Sequence, residues 1–264
     1  MSRQRVLAWA LPLASLLVFL AAWEWAVAAG LLRRIQFPPP SRLAASFVDL
    51  SVLGFPEGIT IWVHAGITIQ RILVGHALAV ALAVPLGLLI GTVDLLDRLT
   101  APVIAFCRSV ATLSLLPLAI VWFGTGEGAK IFLIGYGCFW VMLSATIAAI
   151  KLVDPVLIRA ARTMDTPHRA IFLRVMLPAA LPRLIAGARI ALGVGFMVIV
   201  GAEMIGTIRG LGSLIMEART FYRTDITMVG MLCIGAFGLA ITAALARIEA
   251  WLVPWQARQE AQQQ

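Results

Sequence analysis

One basic stretch of the chain constrains the arrangement of all the rest. Residues 159–178 read RAARTMDTPHRAIFLRVMLP and include four arginines and one histidine, yet this stretch lies between two of the most apolar segments of the sequence. Such a concentration of positive charge cannot cross a bilayer cheaply. The stretch is therefore expected to form a loop on one side of a membrane.

Two residue pairs predict where helices begin around this stretch. In each pair an acceptor side chain precedes a proline that presets the first helical turn. The pairs are Asp154-Pro155 and Thr166-Pro167. We expect a helix from Pro155 to about Met164, a corner near Asp165, and a second short helix ended by Pro178.

The second short helix is predicted to have one apolar face. Ile171, Phe172, Val175 and Met176 share that face, whereas the basic side chains point elsewhere. Such a helix either lies on anionic lipid headgroups or docks into the groove of a partner protein.

The composition is that of an all-α membrane protein. Hydrophobic residues make up 61% of the 264 residues, charged residues 13%, and the mean hydropathy is +0.96. Segments of roughly 20 apolar residues can span the hydrocarbon core as helices. About six qualify, at residues 6–32, 72–93, 109–126, 131–150, 184–208 and 226–246.

The net charge of the chain and the distribution of its basic residues indicate how it lies in the membrane. The net charge of +8 reflects the sidedness of basic residues in a membrane rather than nucleic-acid binding. Seven of the 21 Lys and Arg residues lie between Lys151 and Arg189, which predicts a cytoplasmic loop and a cytoplasmic N-terminus. A cleaved leader is the alternative for the first segment.

The three cysteines lack metal-ligand spacing and are expected to be packing residues.

The basic loop resembles the cytoplasmic loop of the permease subunits of bacterial ABC importers. That loop reads E-A-A, three residues, G, nine residues, then I-x-L-P. At the same spacing, this sequence has Arg159-Ala160-Ala161, Asp165 and Val175-Met176-Leu177-Pro178. Arg159 replaces the usual Glu and Asp165 the usual Gly, but Asp tolerates a left-handed corner.

Other motifs resemble the branch of these importers that carries nitrate, sulfonates, taurine and similar compounds. They occur in the family's order along most of the chain. They are Phe37-Pro38-Pro39-Pro40-Ser41, Val84-Pro85-Leu86-Gly87, Leu115-Leu116-Pro117-Leu118, Trp122-Phe123-Gly124-Thr125-Gly126-Glu127, Leu181-Pro182, Ala202-Glu203-Met204-Ile205 and Gly210-Leu211-Gly212. Ser41 is also expected to cap a short helix through Val48.

The resemblance implies a type I ABC importer permease fold, with residues 1–264 forming one transmembrane permease domain and residues 151–183 its cytoplasmic coupling loop. It further implies a homodimer in a bacterial inner membrane, two ATPase subunits, and a periplasmic or lipid-anchored substrate-binding protein. Contact with membrane lipid is also expected, and nucleic acid is not expected as a partner. No Walker motif occurs, because Ala129 stands where that motif needs Gly, so ATP and Mg would be bound by the ATPase.

The resemblance also implies which residues couple to the ATPase and which could form the translocation path. Those expected to couple to the ATPase are Arg159, Ala160, Ala161, Asp165, Ile171, Phe172, Val175, Met176, Leu177 and Pro178. Glu203, Met204 and Pro117 are candidates for the translocation path or gate. A carboxylate within a span is a functional candidate, although Glu203 is equally compatible with capping the backbone of the 206–212 turn.

Two other classes of function are disfavoured. An ion-coupled secondary transporter would show coupling carboxylates at mid-membrane and inverted halves. An intramembrane enzyme would need clustered catalytic side chains, whereas the histidines His64, His76 and His168 are dispersed. Neither pattern is present in the sequence.

Overall fold

The computed structural model describes residues 3–204 and 206–252 of the chain. Within these ranges the regular structure is entirely helical. Its α-helices are α1 Arg3–Ala28, α2 Pro40–Val52, α3 Ile61–Thr92, α4 Asp94–Ser109, α5 Leu116–Phe123, α6 Glu127–Lys151, α7 Pro155–Thr163, α8 His168–Ile171, α9 Leu177–Glu203, α10 Leu211–Thr220 and α11 Thr224–Leu252. A 3₁₀ turn, Thr112–Leu115, precedes α5, and a π turn, Phe172–Met176, joins α8 to α9.

The chain divides into two compact units. The first comprises the chain up to Gly66 together with Ile208–Ile234, and the second comprises Ile67–Thr207 and the chain from Gly235 onward. The second unit holds the basic loop and most of the apolar helices. The site described below lies wholly within it.

The described residues supply four or five membrane spans, whereas the sequence predicts about six. Four helices are long and apolar enough, at Ile61–Thr92, Glu127–Lys151, His168–Glu203 and Thr224–Glu249. The predicted span at 109–126 is instead a pair of helices, Asp94–Ser109 and Thr112–Phe123, bent by 82°. The bend arises because Val110 and Ala111 adopt extended backbone. The first predicted span, residues 6–32, corresponds to helix α1, Arg3–Ala28.

The second unit is built on close contact between α3, α6 and α9. A Cβ placed on Gly87 of α3 would lie 2.6 Å from the Cβ of Thr146 on α6. A Cβ on Gly187 of α9 would lie 2.6 Å from the Cβ of Ala145. Glycine is therefore required at both positions, because in a membrane small residues let helix backbones approach and gain packing energy.

The basic loop follows the predicted course through its corner. The Asp154 side chain accepts a 2.8 Å hydrogen bond from the Val156 amide and caps α7. Asp165 has a φ of 49°, so it forms the expected left-handed corner. Pro167 rather than Thr166 occupies the cap position before α8, without a side-chain cap.

The expected end of the second helix at Pro178 is wrong. The helix continues from His168 to Glu203 as a single segment of 36 residues. Pro178 lies in the first turn of α9, directly after the π turn, where Leu177 donates to the Phe172 carbonyl five residues back. Such a π turn shifts the backbone bonding, so the missing proline N–H is accommodated without ending the helix.

The short helix after the first segment is also present, but with a different role for Ser41. Helix α2 begins at Pro40 and has no side-chain cap. Ser41 instead donates from its hydroxyl and its backbone amide to the Glu24 carboxylate, at 2.8 and 3.1 Å. Ser41 therefore bonds to Glu24 on α1 instead of capping its own helix.

Candidate functional site

The basic loop presents an exposed surface that is both apolar and cationic. Helix α7 has no buried residue. The large exposed apolar side chains of the loop are Leu152, Val156, Leu157, Met164 and Leu173. Met164, at the corner, is 80% exposed. The basic side chains Arg159, Arg162, His168, Arg169 and Arg174 are exposed beside them.

The residues predicted to couple to an ATPase fall into two groups. Arg159, Ala160, Asp165 and Pro178 are exposed, whereas Ala161, Phe172, Val175, Met176 and Leu177 are half-buried and Ile171 is only 4% exposed. The apolar face predicted around Ile171 therefore turns largely toward the protein. The apolar groups that face outward lie on α7, at the corner and at Leu173.

The root of the loop is held in place by polar contacts. Lys151, at the end of α6, forms an ion pair with Asp97 of α4. Arg183 of α9 donates a 2.9 Å hydrogen bond to the Leu152 carbonyl. Next to the loop is a cavity of about 740 Å³, whose lining includes the apolar side chains Leu88, Leu89 and Phe172 and the basic side chains Arg162, His168 and Arg169.

A buried charge cluster lies at the opposite end of α6 and α9. Arg71 of α3 donates through Nε and Nη2 to the Glu127 carboxylate, at 2.6 and 2.5 Å, and through Nη1 to Glu203 Oε1, at 2.7 Å. Thr68 Oγ1 donates to both carboxylate oxygens of Glu203, at 2.9 Å each. Lys130 Nζ lies 3.8 Å from Glu127 Oε1. These five residues are called the charge cluster below.

Burial differs sharply within the charge cluster. Glu203 is fully buried, and the side chains of Arg71 and Lys130 are 5% and 4% exposed. The side chain of Glu127 is 59% exposed. Desolvated charges need close partners of opposite sign, and here two cations face two carboxylates. The four ionisable members carry two positive and two negative charges, and Glu127 lies at the surface.

The sequence identified Glu203 as a candidate but missed its partners. The predicted spans 72–93 and 131–150 begin directly after Arg71 and Lys130, so the sequence places both cations at the ends of membrane segments. In the structure both lie buried in the cluster. The signal that could have found Arg71 is its position within the apolar helix Ile61–Thr92, since an ionisable residue in a span needs a partner.

The other two candidates for the path or gate lie elsewhere in the same unit. Met204 is half-buried in the turn that follows α9, and Ile205 lies outside the described residues. Pro117 is exposed in the first turn of α5, just after the bend of 82°. The Glu203 carbonyl accepts a 2.5 Å hydrogen bond from Thr207 Oγ1, which fixes the start of that turn.

Comparison with known proteins shows which family includes a chain with this loop and this charge cluster. Residues 83–258 match the family described as the binding-protein-dependent transport system inner membrane component. The chain belongs to this family. The match includes the basic loop, all of α6 and α9, and every member of the charge cluster except Thr68 and Arg71.

Curated relatives of this permease are similar over nearly its whole length. The taurine transport system permease protein TauC of Escherichia coli is 33% identical over 93% of this chain and 89% of its own. The putative aliphatic sulfonates transport permease protein SsuC of the same organism is 34% identical over 94% and 91%. The bicarbonate transport system permease protein CmpB of a Synechocystis strain is 29% identical over 93% and 89%.

Solved structures show the same fold. The permease aligns with a chain of the MetNI methionine ABC transporter in an inward-facing conformation, with a TM-score of 0.61 and 21% identity over 69% of this chain and 91% of that one. It also aligns with a chain of an amino acid ABC transporter, with a TM-score of 0.55 and 18% identity over 80% and 96%. The type I importer permease fold and the taurine and sulfonate branch predicted from the sequence are thereby confirmed.

These similarities decide the class of function. The permease is a multi-pass membrane subunit of an ABC importer, and its relatives are transport permeases rather than enzymes. In this family a separate ATPase binds the nucleotide and a separate protein binds the substrate. The ion-coupled secondary transporter is therefore rejected.

Proposed function

We propose that two copies of the permease form the transmembrane pathway of an importer for a small oxyanionic solute such as a sulfonate, taurine, nitrate or bicarbonate. A periplasmic or lipid-anchored binding protein delivers the solute, and two ATPase subunits bind ATP and Mg on the other side. The membrane is the bacterial inner membrane, and the N-terminus and the basic loop face the cytoplasm, as the density of arginines in the loop favours.

One observation carries this proposal: a single helix connects the exposed loop to the charge cluster. The segment from His168 to Glu203 has 36 residues and therefore spans about 54 Å. Its first turns belong to the loop and its last residue is the buried Glu203. A displacement of the loop is thus transmitted through a continuous helix to the far end of the unit.

The ATPase contacts the outward-facing part of the loop in this proposal. Val156 and Met164 supply exposed apolar area, and Arg162 and Arg169 supply positive charge. Such a surface fits a partner groove with apolar and acidic side chains. The half-buried residues Phe172 and Leu177 then pack on the protein side of the loop and stabilise its position.

The transport cycle follows as alternating access. Closure of the ATPase pair on ATP moves the two docked loops, and α9 moves with its loop because the two form one continuous helical segment. The central path then opens toward the binding protein, and it opens inward after hydrolysis. In this proposal Glu203, Met204 and Pro117 contribute to the path or its gate.

Co-purification followed by an ATPase assay tests the proposal. The tagged permease, expressed with its neighbouring transport genes, is purified in mild detergent and reconstituted into liposomes. We expect an ATPase with a Walker motif to co-purify and its ATP hydrolysis to rise when the binding protein and its solute are added. A permease that purifies intact without any ATPase would contradict the proposal.

A further inference from the structure

We propose that the charge cluster is an anion-binding site in which the Glu127 carboxylate occupies the place of the oxyanion group of a transported solute. This inference rests on the proposed function and adds to it the residues that select the solute by charge. Arg71 is the principal ligand, Lys130 supplies a second positive charge, and Glu127 is the resident competitor that the solute displaces.

The geometry of Arg71 is that of an oxyanion receptor. Its Nε and Nη2 edge holds Glu127 with two hydrogen bonds, at 2.6 and 2.5 Å, while Nη1 is committed to Glu203. A guanidinium edge with two parallel donors matches any group with two adjacent oxygens, including sulfonate, carboxylate, nitrate and bicarbonate. The contact that Glu127 makes is therefore one that such a solute can reproduce atom for atom.

The charge balance of the cluster makes the site selective for anions. With Glu127 in place, two cations face two carboxylates. When Glu127 swings away, the charges on Arg71, Lys130 and Glu203 sum to one positive charge within the cluster. A buried positive charge favours an anion as its partner, so an anion that replaces Glu127 is bound in preference to a cation or a neutral solute.

Glu127 is placed to leave and return. Its side chain is 59% exposed, whereas those of Arg71 and Glu203 are 5% and 0% exposed. It is the first residue of α6 and follows the segment Gly124-Thr125-Gly126, where a Cβ added to either glycine would meet nothing within 4 Å. Because the Glu127 side chain is largely exposed, a rotation about its side-chain bonds carries the carboxylate toward solvent without moving the buried partners.

The start of α6 adds to the attraction for an anion. Helix α6 has 25 residues, its cap residue Gly126 makes no side-chain cap bond, and its first turn lies beside the Arg71 edge. The backbone dipoles of a long helix place partial positive charge at this end. Together with Arg71 and Lys130, this gives the site three sources of positive potential.

Anion titration of the purified importer complex tests the site. The probe is sodium methanesulfonate, and methylammonium chloride at equal ionic strength is the cationic reference; thermal unfolding of the permease is followed in detergent. Glu127→Gln removes the competing charge and retains the side-chain shape. Glu249→Gln is the matched control, because Glu249 pairs with Arg189 at 3.2 Å in the same unit but outside the cluster.

We expect Glu127→Gln to lower the half-saturating methanesulfonate concentration by about tenfold relative to the unaltered protein, since one charge-assisted pair no longer competes. Glu249→Gln should leave that concentration unchanged, and methylammonium should stabilise none of the variants. Adding Arg71→Lys to Glu127→Gln should abolish the gain, because lysine lacks the two-donor edge.

Two results would overturn the inference. One is a half-saturating concentration for Glu127→Gln no lower than that of the unaltered protein; the other is an equal fall in Glu249→Gln. Should Glu127→Gln fail to fold, Glu127→Asp, which keeps the charge on a shorter side chain, must bind methanesulfonate more tightly than the unaltered protein. Absence of a co-purifying ATPase would refute the proposed function instead, and the titration of the permease would still decide the anion site.

Discussion

The two ends of the second unit use charge in opposite ways. At the loop end, arginines such as Arg159 and Arg162 are exposed on α7, which also exposes Val156, and Met164 is exposed at the corner that follows. At the other end, Arg71 and Lys130 are buried and face two carboxylates. Charges that are exposed remain available to a partner, whereas charges that are buried must be neutralised within the fold.

This difference separates two tasks within one protein. The exposed apolar groups of the loop end, such as Val156 and Met164, gain no burial within this chain, so they can contribute to association with another subunit. The cluster end is held by interactions across α3, α6 and α9, so changes there act first on the fold. Substitutions at the cluster end should accordingly lower the stability of the permease, whereas substitutions at the loop end should weaken its association with the ATPase.

The largest effect is expected from removing the buried arginine. Arg71→Met keeps the aliphatic volume but leaves Glu203 buried without its guanidinium partner. The free energy of unfolding should fall by about 3 to 5 kcal/mol, measured by denaturant titration in detergent. Arg159→Met, at an exposed loop arginine, should change it by less than about 0.5 kcal/mol. Equal losses would erase the contrast between the two ends.

The next largest effect concerns association with the ATPase. Met164→Glu puts a negative charge at the most exposed apolar position of the loop. Affinity for the ATPase should fall by about 2 kcal/mol, or roughly thirtyfold, with no loss of thermal stability. Binding is measured by co-purification at graded detergent concentrations. Arg159→Glu, which restores the residue usual in related loops, should bind as the unaltered permease does. Unchanged binding by Met164→Glu would remove the corner from the interface.

A smaller effect should follow from a methyl group between α6 and α9. Gly187→Ala places a Cβ at 2.6 Å from that of Ala145, so the helices must separate. We expect a loss of about 1 to 3 kcal/mol in stability, together with weaker stimulation of ATP hydrolysis. Gly193→Ala, on the same helix with nothing within 4 Å, is the control and should be neutral. A neutral Gly187→Ala would show that the two helices are not tightly packed.

The smallest effect is expected at the helix cap of the loop. Asp154→Ala removes the hydrogen bond to the Val156 amide and should destabilise α7 by about 1 kcal/mol. Hydrogen exchange of the α7 amides should quicken, while exchange in α6 stays the same. Asp154→Ser retains an acceptor and should preserve slow exchange. Rapid exchange in α7 of the unaltered protein would contradict a stable cap.

Local signals made the loop predictable, whereas tertiary pairing hid the cluster. The Asp154 cap and the Asp165 corner depend on neighbouring residues, and both were predicted correctly. The partners of Arg71 are 56 and 132 residues away, so the cluster depends on the register of three packed helices. The prediction that the helix ends at Pro178 is wrong because the π turn before it accommodates the missing backbone N–H of the proline. Ser41 likewise bonds to Glu24, 17 residues distant, rather than to its own helix.

Cysteine cross-linking at the two ends tests the central claim most directly. Met164→Cys lies at the loop corner, and Val121→Cys, 78% exposed, lies on α5 close in sequence to Glu127. Each is introduced into a permease whose three native cysteines are replaced, and the reconstituted complex is treated with a short thiol-to-amine cross-linker. We expect Met164→Cys to form an adduct with the ATPase and Val121→Cys to form none. An ATPase adduct at position 121, or its absence at position 164 in an ATP-hydrolysing complex, would contradict the assignment of the loop as the coupling surface.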